Sequence, residues 1–297
     1  MKFSTNTFVA SAMLYCLCAV SAHAFQSEDF TSEFSFTKGI EGPAVNSEGV
    51  LFAVNFKEEG TIGMVNSKGE GEVFLSLPKG SIGNGIRFDE DGTMFIADYA
   101  GHKVYKVAKN SREISVWAEN PEMSQPNDLA VGANGVLYLS DPDWANNSGR
   151  IWMVSSKGAI VLLEENMGTT NGIEVSPNGK VLYVNESVQR IVWKYDIQKD
   201  GSITNKSKLL SFEDFGLDGM RCDMHGNLYI TRYDKGSVVI VSPEGKIIKE
   251  IFLKGKKPSN ITFGGNNGKT CFVTLADRGC IEIFNAPFSG SYYNKVH

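Results

Sequence analysis

The sequence predicts an all-β chain folded as a six-bladed β-propeller, with four antiparallel strands in each blade. The first observation behind this is a spacing that recurs along the chain. A polar residue is followed eight positions later by a turn glycine and fourteen positions later by a second polar residue. The five units are Glu41, Gly49, Asn55; Asn84, Gly92, Asp98; Asn127, Gly135, Asp141; Asn171, Gly179, Asn185; and Asp218, Gly226, Arg232. Their starts lie 43, 43, 44 and 47 residues apart. A repeat of roughly 40–50 residues with strand-like content is the signature of a propeller.

The second observation is alternation inside each unit. In the second one, Ile86 and Phe88 share a face, Asp91-Gly92 turns the chain, and Met94–Ala97 returns. Asp-Gly and Asn-Gly favour type I′ hairpins, so the same turn is expected at Asn134-Gly135 and Asn178-Gly179. Slipping one residue would turn each buried face outward, which makes the shared register meaningful. Both ends of the hairpin then lie together, and every unit delivers its first residue to one end of a central channel.

The third observation is that two further strands follow each hairpin. The third strands are expected at Thr61–Val65, Lys103–Val107, Arg150–Val154, Ile191–Tyr195 and Ser237–Val241. The outer, more charged strands fall at Val73–Leu77, Ile114–Ala118, Ile160–Leu163, Lys208–Phe212 and Ile247–Leu253. A sixth unit covers Ser259–Phe284. Its glycine, Gly268, points to Asn260 as the start, whereas the alternation of Ile261 and Phe263 points to Ser259. Burial fixes strand register, so Ser259 is the expected start. This unit lacks an outer strand, and the alternating segment Phe30–Thr37 is expected to supply it and close the ring.

Residues 1–24 read as a signal peptide. Lys2 precedes the apolar stretch Phe8–Val20, and Ala22-His23-Ala24 forms a small-x-small cleavage pattern. The stretch is too short to span a bilayer. Residues 25–297 are then one propeller domain of an exported protein, periplasmic or secreted, with no membrane attachment after processing. The formal net charge of −5 argues against nucleic acid, which needs a basic footprint. Of the three cysteines outside the leader, Cys222 falls on an inward-facing position. Strand register sets Leu275, rather than Cys271, opposite Cys280, which counts against a disulfide between them.

The five starts, Glu41, Asn84, Asn127, Asn171 and Asp218, all carry side-chain oxygens. Two carboxylates held close together repel, and a hard divalent cation offsets that repulsion through oxygen ligands. Amide and carboxylate donors favour Ca²⁺ first, with Mg²⁺, Mn²⁺ or Zn²⁺ as alternatives. Asn84 and Asp218 also suit turns, because each precedes a glycine; Glu41, beside Gly42-Pro43, has no such reason to be there. In the fourteenth-position ring, Asp98 and Asp141 either orient the ligands or serve strand-end turns. Arg232 breaks that ring's acidic pattern and either balances charge there or contacts an anionic substrate. The connection Pro142–Arg150 carries Trp144 as a candidate pocket rim. No G-x-S-x-G elbow and no H-E-x-x-H motif occurs.

These residues resemble the SMP-30/gluconolactonase family of six-bladed propellers, which hydrolyse sugar lactones with a divalent metal. The resemblance is carried by Glu41-Gly42-Pro43, Pro126-Asn127-Asp128, Ser140-Asp141-Pro142, Thr170-Asn171-Gly172 and Leu217-Asp218-Gly219, over about Glu41 to Phe284. It implies that Glu41, Asn171 and Asp218 ligate the metal. It implies that Asn127 ligates it or holds substrate, and that Asp218 is the general base. Asn84 would help to position the substrate, a small lactone. Members best known for sugar-lactone activity carry Arg two residues before the third-blade Asn; here that position is Gln125. A calcium-dependent phosphotriesterase or arylesterase and a non-catalytic binding propeller of the NHL type are the alternative readings.

Overall fold

The computed structural model describes residues 27–296; the expected signal peptide lies outside them. Six four-stranded antiparallel sheets succeed one another along the chain. The first blade comprises Phe36–Val45, Leu51–Phe56, Thr61–Val65 and Gly71–Ser76. The innermost strands of the next five are Gly83–Phe88, Leu129–Val131, Thr170–Val175, Met220–Cys222 and Pro258–Gly264. The third strands at Thr61–Val65, Lys103–Val107 and Ser237–Val241 have the bounds expected from the sequence.

Alternation builds the core. Phe52, Val54 and Ile62 of the first blade pack on Ile86, Phe88, Ile96 and Tyr105 of the second. Neighbouring blades thus bury their facing sheets against one another, and similar clusters fill the other interfaces. The three remaining cysteines are free and buried. Leu275 pairs with Cys280, and Cys271 pairs with Phe284, so strand register keeps the two thiols apart.

Three local details refine the sequence reading. Only the Asn134-Gly135 hairpin has positive φ at both residues; at the other two tips only Gly92 and Gly179 do. At Gly92 the side chain of Asp89 accepts the Thr93 N–H at 2.8 Å, which supports a three-residue loop instead of a type I′ turn. The sixth blade begins at Ser259: its carbonyl accepts the Gly219 N–H at 2.8 Å, as that of Asn127 accepts the Gly85 N–H. The ring closes through a shorter strand than expected, Glu28–Asp29, paired with Ile283 and Glu282. A turn in which the Ser35 N–H bonds the Ser32 carbonyl ends this edge, and Phe36–Thr37 belongs to the first blade instead. Arg278 fastens the closure by pairing with Asp29 at 2.6 Å and Glu33 at 2.7 Å.

Candidate metal centre and its surroundings

Each innermost strand enters the channel through the residue that starts its repeat. A glycine follows the start in four of the six units: Gly42, Gly85, Gly172 and Gly219. Gly42 has φ +57°, and a Cβ there would lie 2.0 Å from the Asn84 carbonyl oxygen. A Cβ on Gly219 would lie 2.1 Å from the side chain of Asn260. Only glycine lets the blades converge this tightly. The two units without glycine place Asp128 and Asn260 at the equivalent position, and these side chains fill the space that the glycines leave.

Glu41 is buried, and its Oε2 accepts the Gly42 N–H at 2.7 Å and the Asn260 amide at 2.8 Å. Burial, reinforced by the charge of Asp128, pushes its carboxyl up to about 7. Asp218 is half-buried, and its carboxyl is raised well above the usual range by burial and by the nearby charge of Glu41. Asn171 stands beside Asp218; its amide opposes that rise and also donates to Ser187 Oγ at 3.2 Å. Asn127 is buried, and its Oδ1 has no hydrogen-bond partner. The Asn84 amide donates to the Asn127 carbonyl at 3.1 Å, which ties two starts together. Glu41, Asn171 and Asp218 thus interact with one another, and Asn127 and Asn84 are tied together through the Asn127 carbonyl.

This cluster suits a hard cation. Two mutually repelling carboxylates and an unpaired, buried amide oxygen form an all-oxygen donor set. No group of three or more His, Cys, Asp and Glu side chains that could hold a metal ion occurs among the described residues, so a cation here would depend on amide oxygens as well.

The fourteenth-position ring does different work. Each of its members grips the chain near its own blade's start. Asn55 donates to the Gly39 carbonyl at 2.6 Å, and Asp98 accepts the Ile82 N–H at 3.0 Å. Asp141 accepts N–H groups of Ser124 and Gln125 and the Trp152 indole. Asn185 accepts the Gly172 N–H at 3.2 Å and also donates to the Asp218 carbonyl of the neighbouring blade at 2.6 Å. These backbone contacts occupy Asp141, and Asp98 keeps one oxygen, Oδ2, unpartnered. Arg232 departs from the expectation of a substrate contact. It is buried, donates to the carbonyl and carboxylate of Asp214, and stacks 3.9 Å from the Phe212 ring. A guanidinium taken out of water has to be paired; Asp214 pairs with its Nη2, while its Nε has no hydrogen-bond partner among the described residues.

Gln125 and Trp144 meet at the rim. Gln125 donates to the Tyr99 hydroxyl at 2.7 Å and accepts the Trp144 backbone N–H at 3.4 Å. Tyr233, the residue after Arg232, also faces the site. Its hydroxyl is pushed up to about 12 by burial and by the charges of Asp218, Asp234, Asp277 and Glu41. Tyr99 and Tyr233 both follow a fourteenth-position residue, a signal present in the repeat but not used above.

A floor of charges closes the channel beneath this cluster. Asp128, fully buried, pairs with Arg87 at 2.9 Å and Arg221 at 3.3 Å. Arg221 also donates to Asn260 Oδ1 at 3.2 Å. Glu174 lies 4.0 Å from both guanidinium groups. Arg87, Glu174 and Arg221 each stand three positions after a start, where the first and third blades carry Ala44 and Ala130. Charged residues at that recurring position were the signal for this layer.

The pattern described as the SMP-30/Gluconolactonase/LRE-like region matches residues 40–277. The chain belongs to this family. Among SMP-30/gluconolactonase relatives, it is 29% identical over 218 residues to a gluconolactonase of Zymomonas mobilis, covering 65% of this chain and 60% of that protein. It therefore spans less than two thirds of that relative. It is 27% identical over 287 residues to a diisopropyl-fluorophosphatase of Loligo vulgaris, covering 86% and 91% of the two chains. A calcium-binding regucalcin from Agrobacterium tumefaciens shares the fold, with a TM-score of 0.77 at 18% identity, over 91% of this chain and 97% of that one.

Proposed function

We propose that the protein is a divalent-metal-dependent hydrolase that opens small lactones. The carrying observation is the pair Glu41 and Asp218, a buried and a half-buried carboxyl of which the first raises the second, together with the unpaired, buried amide oxygen of Asn127, another repeat start. Glu41, Asn171, Asp218 and Asn127 would hold the ion, Ca²⁺ first among the candidates. The ion would supply polarisation of the lactone carbonyl and stabilise the oxyanion that develops there. Asp218 accepts a proton from the attacking water as general base. Asn127 and Asn84 orient the ring oxygens of the substrate. Tyr99, Gln125 and Trp144 form one wall of the rim. The apolar stretch Phe8–Val20 supports export, to the periplasm or beyond, as part of this reading.

The gluconolactonase of Zymomonas mobilis supports a lactone substrate. The long match to the squid diisopropyl-fluorophosphatase favours a second reading, phosphotriester hydrolysis at the same cluster. The test is to strip divalent ions and assay aldonolactones and aryl phosphotriesters, with each cation added back singly. Lactone turnover that returns with a cation and exceeds phosphotriester turnover supports the proposal. Turnover that survives chelation overturns it, and a dominant phosphotriester rate selects the second reading.

A further inference from the structure

The opposite end of the channel holds a chamber that the proposed reaction does not use. Its volume is about 760 Å³, within the range of small-molecule sites. The hairpin tips of the second, third and fourth blades and the short C-terminal helix Ser291–Val296 surround it. Arg87, Glu174 and Arg221 line its inner end, and Phe88, Phe263 and Tyr292 contribute aromatic wall. Tyr292 anchors the helix by donating to the Asp89 carbonyl at 3.0 Å. The layer of Asp128 and Asn260 lies between this chamber and the candidate metal centre.

We infer that this chamber is a second ligand site, built for a neutral polyhydroxylated molecule of about monosaccharide size. Charge decides against the other classes. An anion would meet Glu174 and the acidic rim of Asp89, Glu90 and Asp91. A cation would meet Arg87 and Arg221 at the inner end and Lys295 on the helix. Glu174 accepts the Val175 N–H with one oxygen, while the other stands 4.0 Å from Arg87 Nη2 and Arg221 Nε. That separation is too long for direct hydrogen bonds. A hydroxyl inserted there accepts from a guanidinium and donates to the carboxylate at once. Hydroxyl groups do both, whereas ions do only one. The aromatic walls provide apolar surface for the face of a ring.

The experiment is saturation-transfer NMR on the full chain with glucose, gluconate and glucosamine as neutral, anionic and cationic probes. Glucose is expected to bind in preference to the two ions. Glu174→Gln is expected to weaken glucose binding at least fivefold, and Asp218→Asn to leave it within twofold. Ala133→Trp, at an exposed lining position remote from the core, is expected to block the chamber and abolish the signal. Lactone turnover by Glu174→Gln and Ala133→Trp is expected to match that of the parent. Preference for either ion, no glucose binding, or binding lost in Asp218→Asn but kept in Ala133→Trp overturns the inference. Glucose binding and lactone turnover are read separately, so either assignment can fail while the other stands.

Discussion

Asn260 donates its side-chain amide to Glu41 across 2.8 Å and so joins the last blade to the first at the candidate metal centre. The same amide lies 3.4 Å from Asp128, and its oxygen accepts from Arg221 and from the Ile261 N–H. Asn260→Ala removes the donor from a buried carboxylate, a loss of about 1–3 kcal/mol. Thermal melts should show that loss. Calorimetry should show weaker cation binding, with the fold retained by circular dichroism.

Asp128 neutralises two buried guanidinium groups. Asp128→Asn leaves them facing each other and is expected to cost about 3–5 kcal/mol, or roughly 10 °C in Tm. It also removes a charge that raises Glu41, so the pH midpoint of cation binding should move down. An unchanged melt would show that the floor is not held by this pairing.

Glu41 titrates near 7 in the metal-free protein, against an ordinary value of 4.5. The native state then binds more protons than the unfolded state between those values. Metal-free stability should therefore fall as pH rises from about 4.5 to 7 and level off above. Asp218 is raised as well and reinforces the trend. Cation affinity should move the opposite way and increase through the same window, because the ion needs both carboxylates ionised. Melts at a series of pH values, with and without added Ca²⁺, check both signs.

Asp218→Ala is expected to lower kcat by about 10²–10⁴-fold and to weaken cation binding in parallel, since one side chain serves both steps. Asp218→Asn keeps the volume and an oxygen donor. It should retain more cation affinity than Ala while remaining as poor in turnover.

Gln125 is held between the Tyr99 hydroxyl and the Trp144 N–H. Gln125→Arg should place a cationic donor at the rim, free Tyr99, and raise kcat/KM for aldonolactones severalfold relative to uncharged, less polar lactones. A ratio that does not move would remove Gln125 from the determinants of specificity.

The repeat made the fold legible because one spacing reports both strand register and blade order. Ser259 was found from alternation even though the glycine count pointed to Asn260. The closing strand was placed late, at Phe30–Thr37, because alternation cannot distinguish an edge from the first strand of the next sheet. Glu41, Asn171 and Asp218, which interact with one another, stood out because each repeats a position, as Asn127 does. Arg232 keeps the repeat's spacing, while its partner Asp214 lies on an irregular connection that no spacing reports. The charged floor lies three positions further on, at Arg87, Glu174 and Arg221, where charge on an otherwise apolar alternating strand was its signal.

The circle of blades is fastened at one seam, where Glu28–Asp29 lies along the last blade and Arg278 clasps Asp29 and Glu33. Glu41 and Asn260 stand on opposite sides of that same seam. Loosening the fastener therefore reaches the carboxylate before it reaches any other blade boundary. If the proposed metal-dependent reading holds, the first partial opening of this molecule should release the cation and end turnover while five-sixths of the ring is still folded.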